Sequence, residues 1–259
     1  MESDVRKLQL TLLEILDDVI EVFESNNVPY YIGGGCALGA VRHGGFIPWD
    51  DDVDIAVMVD DEEKLRAALS KLDQKKYSVQ YPLDGDFGEG FYLVSKKGTT
   101  HIVWPRTKRI QRISIEIFVM YNVPDKKWER SIHHTLMRSF EFISNISACS
   151  DSNLVNGIIV KTMKVMTKLM DFISMKSKEH YVEPRNNFFK RDLMKKEMYG
   201  TPRILKFENR EICFPEHLEE YLTQFYGDYM QLPPEEKRVP REYGALSFDV
   251  DYTEYIKQN

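Results

Sequence analysis

Between Tyr30 and Val59 the chain reads YYIGGGCALGAVRHGGFIPWDDDVDIAVMV, a glycine triplet followed some fifteen residues later by aspartates that run directly into an apolar segment. No other stretch constrains the fold as much, because the glycines must end one element and Ile55 to Val59 has the pattern of a buried strand. Side chains on a strand alternate with period two. Asp50, Asp52 and Asp54 are therefore expected on one face of an extended segment whose strand runs from about Asp52 to Val59, with Asp51 pointing the other way. Three carboxylates on one face repel strongly in a low-dielectric setting, and a cation that neutralises them best explains the pattern. Hard oxygen donors of this kind suit Mg²⁺ or Mn²⁺.

The 259 residues suffice for one large domain or two small ones. A net charge of −6 argues against a nonspecific nucleic-acid binder, which needs a dominant basic surface to displace counterions from phosphates. Cys36, Cys149 and Cys213 are few and far apart, as in a reduced cytosolic protein rather than a disulfide framework or a zinc site. The N-terminus has no apolar signal core, and no run approaches the ~20 apolar residues of a membrane span, so a cytoplasmic location is expected.

Residues 4–25 place Leu8, Leu12, Ile15, Leu16, Val19 and Phe23 at helical spacing behind Ser3 as N-cap, and Asn26, Asn27 and Pro29 end this helix. Tyr30 to Ile32 begins a short strand that stops at Gly33-Gly34-Gly35. Asp60 is the expected cap of a helix to about Leu72, with Glu63 completing a capping box. Short β-like runs from Tyr77 to Phe118 read as a meander or set of hairpins. In the last of them Ile113, Ile115 and Ile117 face the core, while Ser114 and Glu116 face the open side. Helices are expected near 126–147, 153–178 and 186–199, then a hairpin over Phe207 to Phe214 and a helix near 216–226. The 153–178 helix sets Lys161, Lys164 and Lys168 against an apolar face. A membrane-surface helix has this form, although most such stripes are a core face opposite a solvated one. No internal repeat or low-complexity linker is present, and a boundary near residue 122 divides structure rather than flexibility.

A glycine-rich turn, an Asp-x-Asp strand and a later strand acid are what metal-dependent transfer on a phosphate needs. Glycines let backbone N–H groups approach phosphate oxygens, and carboxylates hold the metal that aligns and neutralises the reacting groups. Asp52 and Asp54 are the expected ligands, and Glu116 the third carboxylate, as ligand or as general base for an acceptor hydroxyl. Alone, a glycine triplet is more often an ordinary turn and an aspartate run a solvated loop; here the two occur together. Arg42 is a candidate for holding a donor phosphate in a bidentate grip, and His43 for relaying a proton. Trp49, Tyr92 and Trp104 are candidates for stacking on a base or enclosing a quaternary ammonium, against a core role for each. Arg106, Lys108 and Arg109 form a small basic cluster that either binds phosphates of an acceptor or is a solvated turn.

The run Gly35-Cys-Ala-Leu-Gly-Ala-Val-Arg-His43, followed by Gly45-Phe-Ile-Pro-Trp-Asp-Asp-Asp-Val-Asp-Ile55, resembles the signature of LicD-family phosphotransferases, members of the nucleotidyltransferase-like superfamily that includes DNA polymerase β. Tyr221-Leu and Tyr226-Gly-Asp-Tyr-Met-Gln-Leu-Pro-Pro234 resemble the family's C-terminal segment. The resemblance implies an α+β fold, with a nucleotidyltransferase-like (polymerase β-type) mixed sheet flanked by helices and a mainly helical C-terminal half. Residues 1–122 would form the catalytic core and 123–259 a substrate and acceptor region packed on it. It also implies transfer of phosphocholine, or a related phosphoalcohol, from CDP-choline or another CDP-alcohol to a glycan or lipid-linked glycan acceptor, releasing CMP. The expected location is cytoplasmic, with peripheral contact at the inner face of a membrane as an alternative. Family members act on teichoic acids, lipopolysaccharide or other glycans, and fukutin-type enzymes transfer ribitol phosphate. Gly34, Gly35, Cys36 and Arg42 would bind donor phosphate, and Mg²⁺ or Mn²⁺ would sit on Asp52, Asp54 and Glu116. Three departures stand out: Cys36 replaces a usual Thr or Ser, Glu116 a usual Asp, and Lys237-Arg-Val-Pro-Arg-Glu-Tyr243 a segment that often holds histidine. Two other readings remain: a true nucleotidyltransferase that modifies a small molecule such as an aminoglycoside, and a catalytically inactive relative that binds a nucleotide or glycan.

Overall fold

The longest strand, Ser114–Val123, alternates strictly in burial along its first half, with Ile115 and Ile117 completely covered and Ser114 and Glu116 half-buried. A computed structural model describes residues 3–84, 90–103, 111–149, 152–175, 178–185 and 190–258. In it this strand is the spine of a mixed sheet.

In chain order, helix α1 (Asp4–Ser25) leads into β1 (Tyr31–Ile32), α2 (Gly34–His43) and β2 (Asp54–Met58). A short α3 (Glu62–Leu69) follows, then β3 (Tyr77–Gln80), β4 (Tyr92–Lys96), β5 (Thr100–Ile102) and β6 (Ser114–Val123). The second half contributes the helix pair α4 (Lys127–Cys149) and α5 (Asn153–Ser174), then β7 (Tyr181–Pro184), β8 (Met194–Lys195) and α6 (Lys196–Tyr199). A hairpin of β9 (Arg203–Phe207) and β10 (Arg210–Phe214), α7 (Leu218–Tyr226), β11 (Ala245–Ser247) and α8 (Tyr252–Gln258) complete the chain.

β6 pairs in parallel with β2 along one edge, whereas β4 and β7 share its other edge in succession, both antiparallel. The parallel register sets Asp54 beside Glu116 and Ala56 beside Phe118. β1 extends the sheet beyond β2, β3 beyond β4, and β8 beyond β7. A mixed sheet with helices grouped around it is an α+β arrangement. One face of the sheet carries Ile55, Val57, Ile115, Ile117 and Val119, all completely buried.

Helix α1 begins where expected, with Ser3 accepting a hydrogen bond from the Arg6 N–H. Leu8, Ile15, Leu16, Val19 and Phe23 are completely buried along its inner face, each contributing about 1.5–3 kcal/mol of transfer free energy. The helix expected from Asp60 to Leu72 is instead a 3₁₀ turn over Val59–Asp61 and then Glu62–Leu69, with no side-chain cap. Glu62 is engaged elsewhere: it accepts hydrogen bonds from the buried hydroxyls of Tyr92 at 2.9 Å and Tyr121 at 3.2 Å.

The second half is less helical than the sequence suggests. Of the helix expected at 186–199, the described part is a 3₁₀ turn, strand β8 and the single turn α6; pairing of β8 with β7 outweighs a local pattern that suits a helix. β6 runs through residue 122, and β7 adds to the same sheet. The hairpin expected over Phe207 to Phe214 begins earlier: its first strand is Arg203–Phe207, and the expected span holds only the turn and the second strand. α4 and α5 make an antiparallel pair with a small core of their own, including Met137, Phe140, Met163 and Met170. His133 and His134 of α4 each come within 3.2 Å of Glu183 on β7. No helix among the described residues is long and apolar enough to cross a membrane.

Candidate active site

Glycine is required where β1 turns into α2. Gly34 has φ +53°, the left-handed region that disfavours other residues. Its N–H donates to the Tyr221 hydroxyl at 3.0 Å, and a Cβ at Gly33 would sit 2.8 Å from that same oxygen. A Cβ at Gly34 would overlap the carboxylate of Asp54, and one at Gly35 the carboxylate of Asp50. The triplet thus opens a helix, not merely a turn, and the groups pressed against this N-terminus are carboxylates, whose charge the helix dipole favours there.

Asp50 to Val53 is a loop rather than the start of a strand, which begins at Asp54. Three contacts fix it. Gln9 of α1, almost fully buried, donates to the carbonyls of Ile47 at 3.1 Å and Asp50 at 3.0 Å. The Cys36 thiol donates to the Asp52 carbonyl at 3.4 Å, and the Glu116 N–H to the Val53 carbonyl at 3.1 Å. Ahead of the strand, Asp51 does not point away: one oxygen each from Asp50, Asp51 and Asp52 lie within 4.8 Å of one another. This corrects the period-two expectation for that residue.

Burial raises the pKa of all four aspartates, Asp50 to about 8 and Asp54 well above the usual carboxylate range. Mutual repulsion adds to the rise for Asp50, Asp52 and Asp54, with Glu116 contributing at Asp54. Asp50 Oδ2 and Asp51 Oδ2 are buried with no hydrogen-bond partner. Buried, unpartnered oxygens in a cluster of like charge, here on Asp50 and Asp51 with Asp52 beside them, are donors of the kind that suits a hard divalent cation.

The C-terminal segment brings a cation of the chain's own. β11 pairs with β5, setting Leu246 opposite His101, and so carries Arg241 and Tyr243 to the acids. Arg241 Nε lies 3.7 Å from Asp51 and Nη2 3.8 Å from Asp52. Tyr243 lies beside Asp51; burial and that charge push its hydroxyl up to about 12. Neither residue is evident from the local pattern of 237–243, and only the β5–β11 pairing brings them here. Tyr221 is likewise part of a quoted motif whose hydroxyl has no role until the fold places it on Gly34.

A cavity of about 170 Å³ opens beside Asp54. Its walls include Ala56, Phe118, Met120, Tyr199, Phe225 and Arg191. The guanidinium of Arg191 lies 5.0 Å from the centre of the Phe225 ring.

The other expected residues disperse. Cys36 is buried, its thiol held un-ionised by desolvation and then by Asp50, Asp52 and Asp54, so it positions the acid loop. Arg42 lies eight residues along α2 from Gly34, about 12 Å by helical rise, and donates to the Tyr229 carbonyl at 3.2 Å. His43 is exposed and meets Trp49 edge-on, ring centres 6.3 Å apart. Tyr92 is completely buried, which leaves it no open face for a base or choline and corrects that expectation. Trp104, Arg106, Lys108 and Arg109 lie outside the described residues.

A family model described as "LicD/FKTN/FKRP, nucleotidyltransferase domain" matches residues 27–148, the span holding Gly34, the aspartates and Glu116. Lipopolysaccharide cholinephosphotransferase LicD of Haemophilus influenzae is 26% identical over 263 residues, covering 91% of this chain and 95% of that protein. Residues 27–148 of this chain carry the likeness to the LicD family. Ribitol 5-phosphate transferase FKRP of Homo sapiens is 38% identical over 93 residues, 34% of this chain but 18% of that protein. An uncharacterized protein of Rickettsia prowazekii is 44% identical over 75 residues, 29% of this chain and 28% of its own length. The match with the Haemophilus LicD covers nine-tenths of the chain and so takes in α7 as well as the acid loop.

Proposed function

We propose that this chain transfers phosphocholine, or a related phosphoalcohol, from a CDP-linked donor to a sugar hydroxyl of a cell-surface glycan precursor, releasing CMP. The observation that carries the reading is the convergence of Asp52, Asp54 and Glu116 with the N-terminus of α2, in a chain that aligns over nearly its whole length with a lipopolysaccharide cholinephosphotransferase. The nucleotidyltransferase-like character of the mixed sheet belongs to the same proposal and is supported by the description of the matching family model.

Asp52 and Asp54 would hold Mg²⁺ or Mn²⁺, which when bound supplies charge neutralisation to the donor phosphates. The rest is work for the chain's own groups. Glu116, in register with Asp54, takes the proton of the acceptor hydroxyl. As the sugar oxygen bonds to the phosphorus that carries the alcohol, the bond from that phosphorus to the bridging oxygen breaks, and CMP leaves with the electron pair. Tyr221 and Gly34 fix the backbone against which Asp54 rests, so the carboxylate is set before substrate arrives. The cavity beside Asp54, with aromatic walls and Arg191, has the chemistry to receive one end of the donor.

The test is product analysis with CDP-choline, CDP-ribitol and related donors, Mg²⁺ or Mn²⁺ and a glycan acceptor. CMP release with the phosphoalcohol on the glycan is the expected result. Pyrophosphate release from a nucleoside triphosphate would instead assign a nucleotidyltransferase, and no turnover together with no metal binding an inactive relative.

A further inference from the structure

Away from the acids, the outer surface of the α4–α5 pair is the largest feature that the transfer reaction leaves unexplained. The inner face of α5 supplies Val160, Met163, Met166 and Met170 to the small core shared with α4. The same helix is apolar on its opposite side: Leu154, Ile158, Val165, Leu169 and Phe172 are 45–75% exposed. They recur at steps of four, seven, four and three residues along one side over about 27 Å, with Lys161 and Thr162 filling the longer step. On α4, Trp128 and Phe142 are 64% and 67% exposed. Single exposed apolar side chains are ordinary on a protein surface, but a stripe of them marks a contact.

The charge beside the stripe says what that contact is. Lys161, Lys164 and Lys168 flank it, all exposed, and among the described residues none has an ion-pair partner. Residues 125–178 hold nine lysines and arginines against five aspartates and glutamates, in a chain whose net charge is −6. Asp171 is engaged by Arg185, the buried Glu129 by Lys126 and Asp125 by His180. A second copy docked symmetrically through this face would set the same lysines against themselves.

We propose that the outer face of the α4–α5 pair seats on an anionic phospholipid surface, its helices lying flat in the interface. The apolar stripe would enter the headgroup–acyl boundary, and the lysine stems would lie along it with their ammonium groups at the lipid phosphates. Glu183, which meets His133 and His134 of α4, is registered with Tyr121 on the face of the sheet opposite Glu116. A protein docked in this way keeps its acid cleft turned to the aqueous side.

The full chain is to be sedimented with phosphatidylcholine vesicles with and without phosphatidylglycerol, at low and high salt. We expect binding that requires phosphatidylglycerol and weakens with salt. The triple variant Lys161→Gln/Lys164→Gln/Lys168→Gln should lose about a hundredfold in partitioning, near fivefold per lysine. Val165→Ser/Phe172→Ser should lose at least about tenfold with its melting temperature unchanged, because both side chains are exposed. The proposal is overturned if the wild type stays in the supernatant, if either variant binds as the wild type does, or if the lipid-free chain is a dimer that Val165→Ser/Phe172→Ser dissociates. The assay uses neither donor nor acceptor, so its failure leaves the transfer reaction standing.

Discussion

Gly34→Ala and Gly44→Ala form a matched pair that separates backbone strain from damage to the site. Both glycines have positive φ, +53° and +72°, and alanine in that region costs about 1–2 kcal/mol. In a chain of this size that lowers the melting temperature by roughly 2–8 °C in either variant. The two differ in what the new methyl group meets. At Gly44 it meets nothing within 4 Å, whereas at Gly34 it overlaps Asp54 Oδ2 and stands 3.3 Å from Cγ and 3.5 Å from Cβ of the same residue. The Asp54 side chain must swing away, and a displacement near 1 Å at a reacting centre costs about a hundredfold in rate. Gly34→Ala should therefore lose about a hundredfold or more in CMP release, and with it the rise in melting temperature that a divalent cation gives the wild type. Gly44→Ala should keep both. The reasoning fails if Gly34→Ala retains the cation-induced rise and near-normal turnover, or if Gly44→Ala loses as much.

Asp54→Asn should lower turnover by several orders of magnitude yet raise the melting temperature measured in EDTA, because it removes a buried charge from a repelling cluster; calorimetry of wild type and variant decides. The pH dependence of the metal-free protein follows from Asp50, whose carboxyl is raised in the fold to about 8 from about 4 in the unfolded chain. The stability tied to its proton is complete below pH ~4 and lost as pH rises towards 8, so melting in EDTA should fall across that window more steeply for wild type than for Asp50→Asn. Asp251, held low chiefly by the Arg112 guanidinium at 2.8 and 2.9 Å, behaves oppositely: its contribution is present above pH ~4 and lost in acid. Asp251→Asn should cost about 2–4 kcal/mol at pH 7, read as a lower denaturant midpoint, because it leaves a largely buried guanidinium without its partner charge.

The parts of the site that the sequence reveals are those whose signal is local. Gly34, Asp52 and Asp54 fall within one motif, and Glu116 is exposed by the alternation of its own strand. Helix α2 was not visible because GGCALGAVRH has two glycines in its first turn and no side-chain cap, so its start depends on Tyr221 receiving the Gly34 N–H from 187 residues away. Asp51 was misplaced because period two applies to a strand, and the backbone there is a loop pinned by Gln9 and Cys36. β8 and the Arg241 segment are set by pairing with distant strands, a choice that no window of neighbouring residues contains.

The acid loop also shows why stability and activity pull apart in this chain. Gln9, Cys36 and the helix dipole hold Asp50 to Asp54 in a crowd that the metal-free fold would be better without, since two of its oxygens are buried and unpartnered. Arg241 offsets only part of this. At 3.7 and 3.8 Å from Asp51 and Asp52 its half-exposed guanidinium is beyond the 2.7–2.9 Å of a charge-assisted hydrogen bond. A surface ion pair of that length contributes little, about 0–1 kcal/mol. On the proposed reading, the larger compensation would come from a ligand that binds the folded state alone. A divalent cation at a hundred times its dissociation constant would stabilise that state by about 2.7 kcal/mol. The strain at Asp50 to Asp54 is therefore best understood as a site prepared for occupation, with the rest of the sheet supplying the stability that keeps it open.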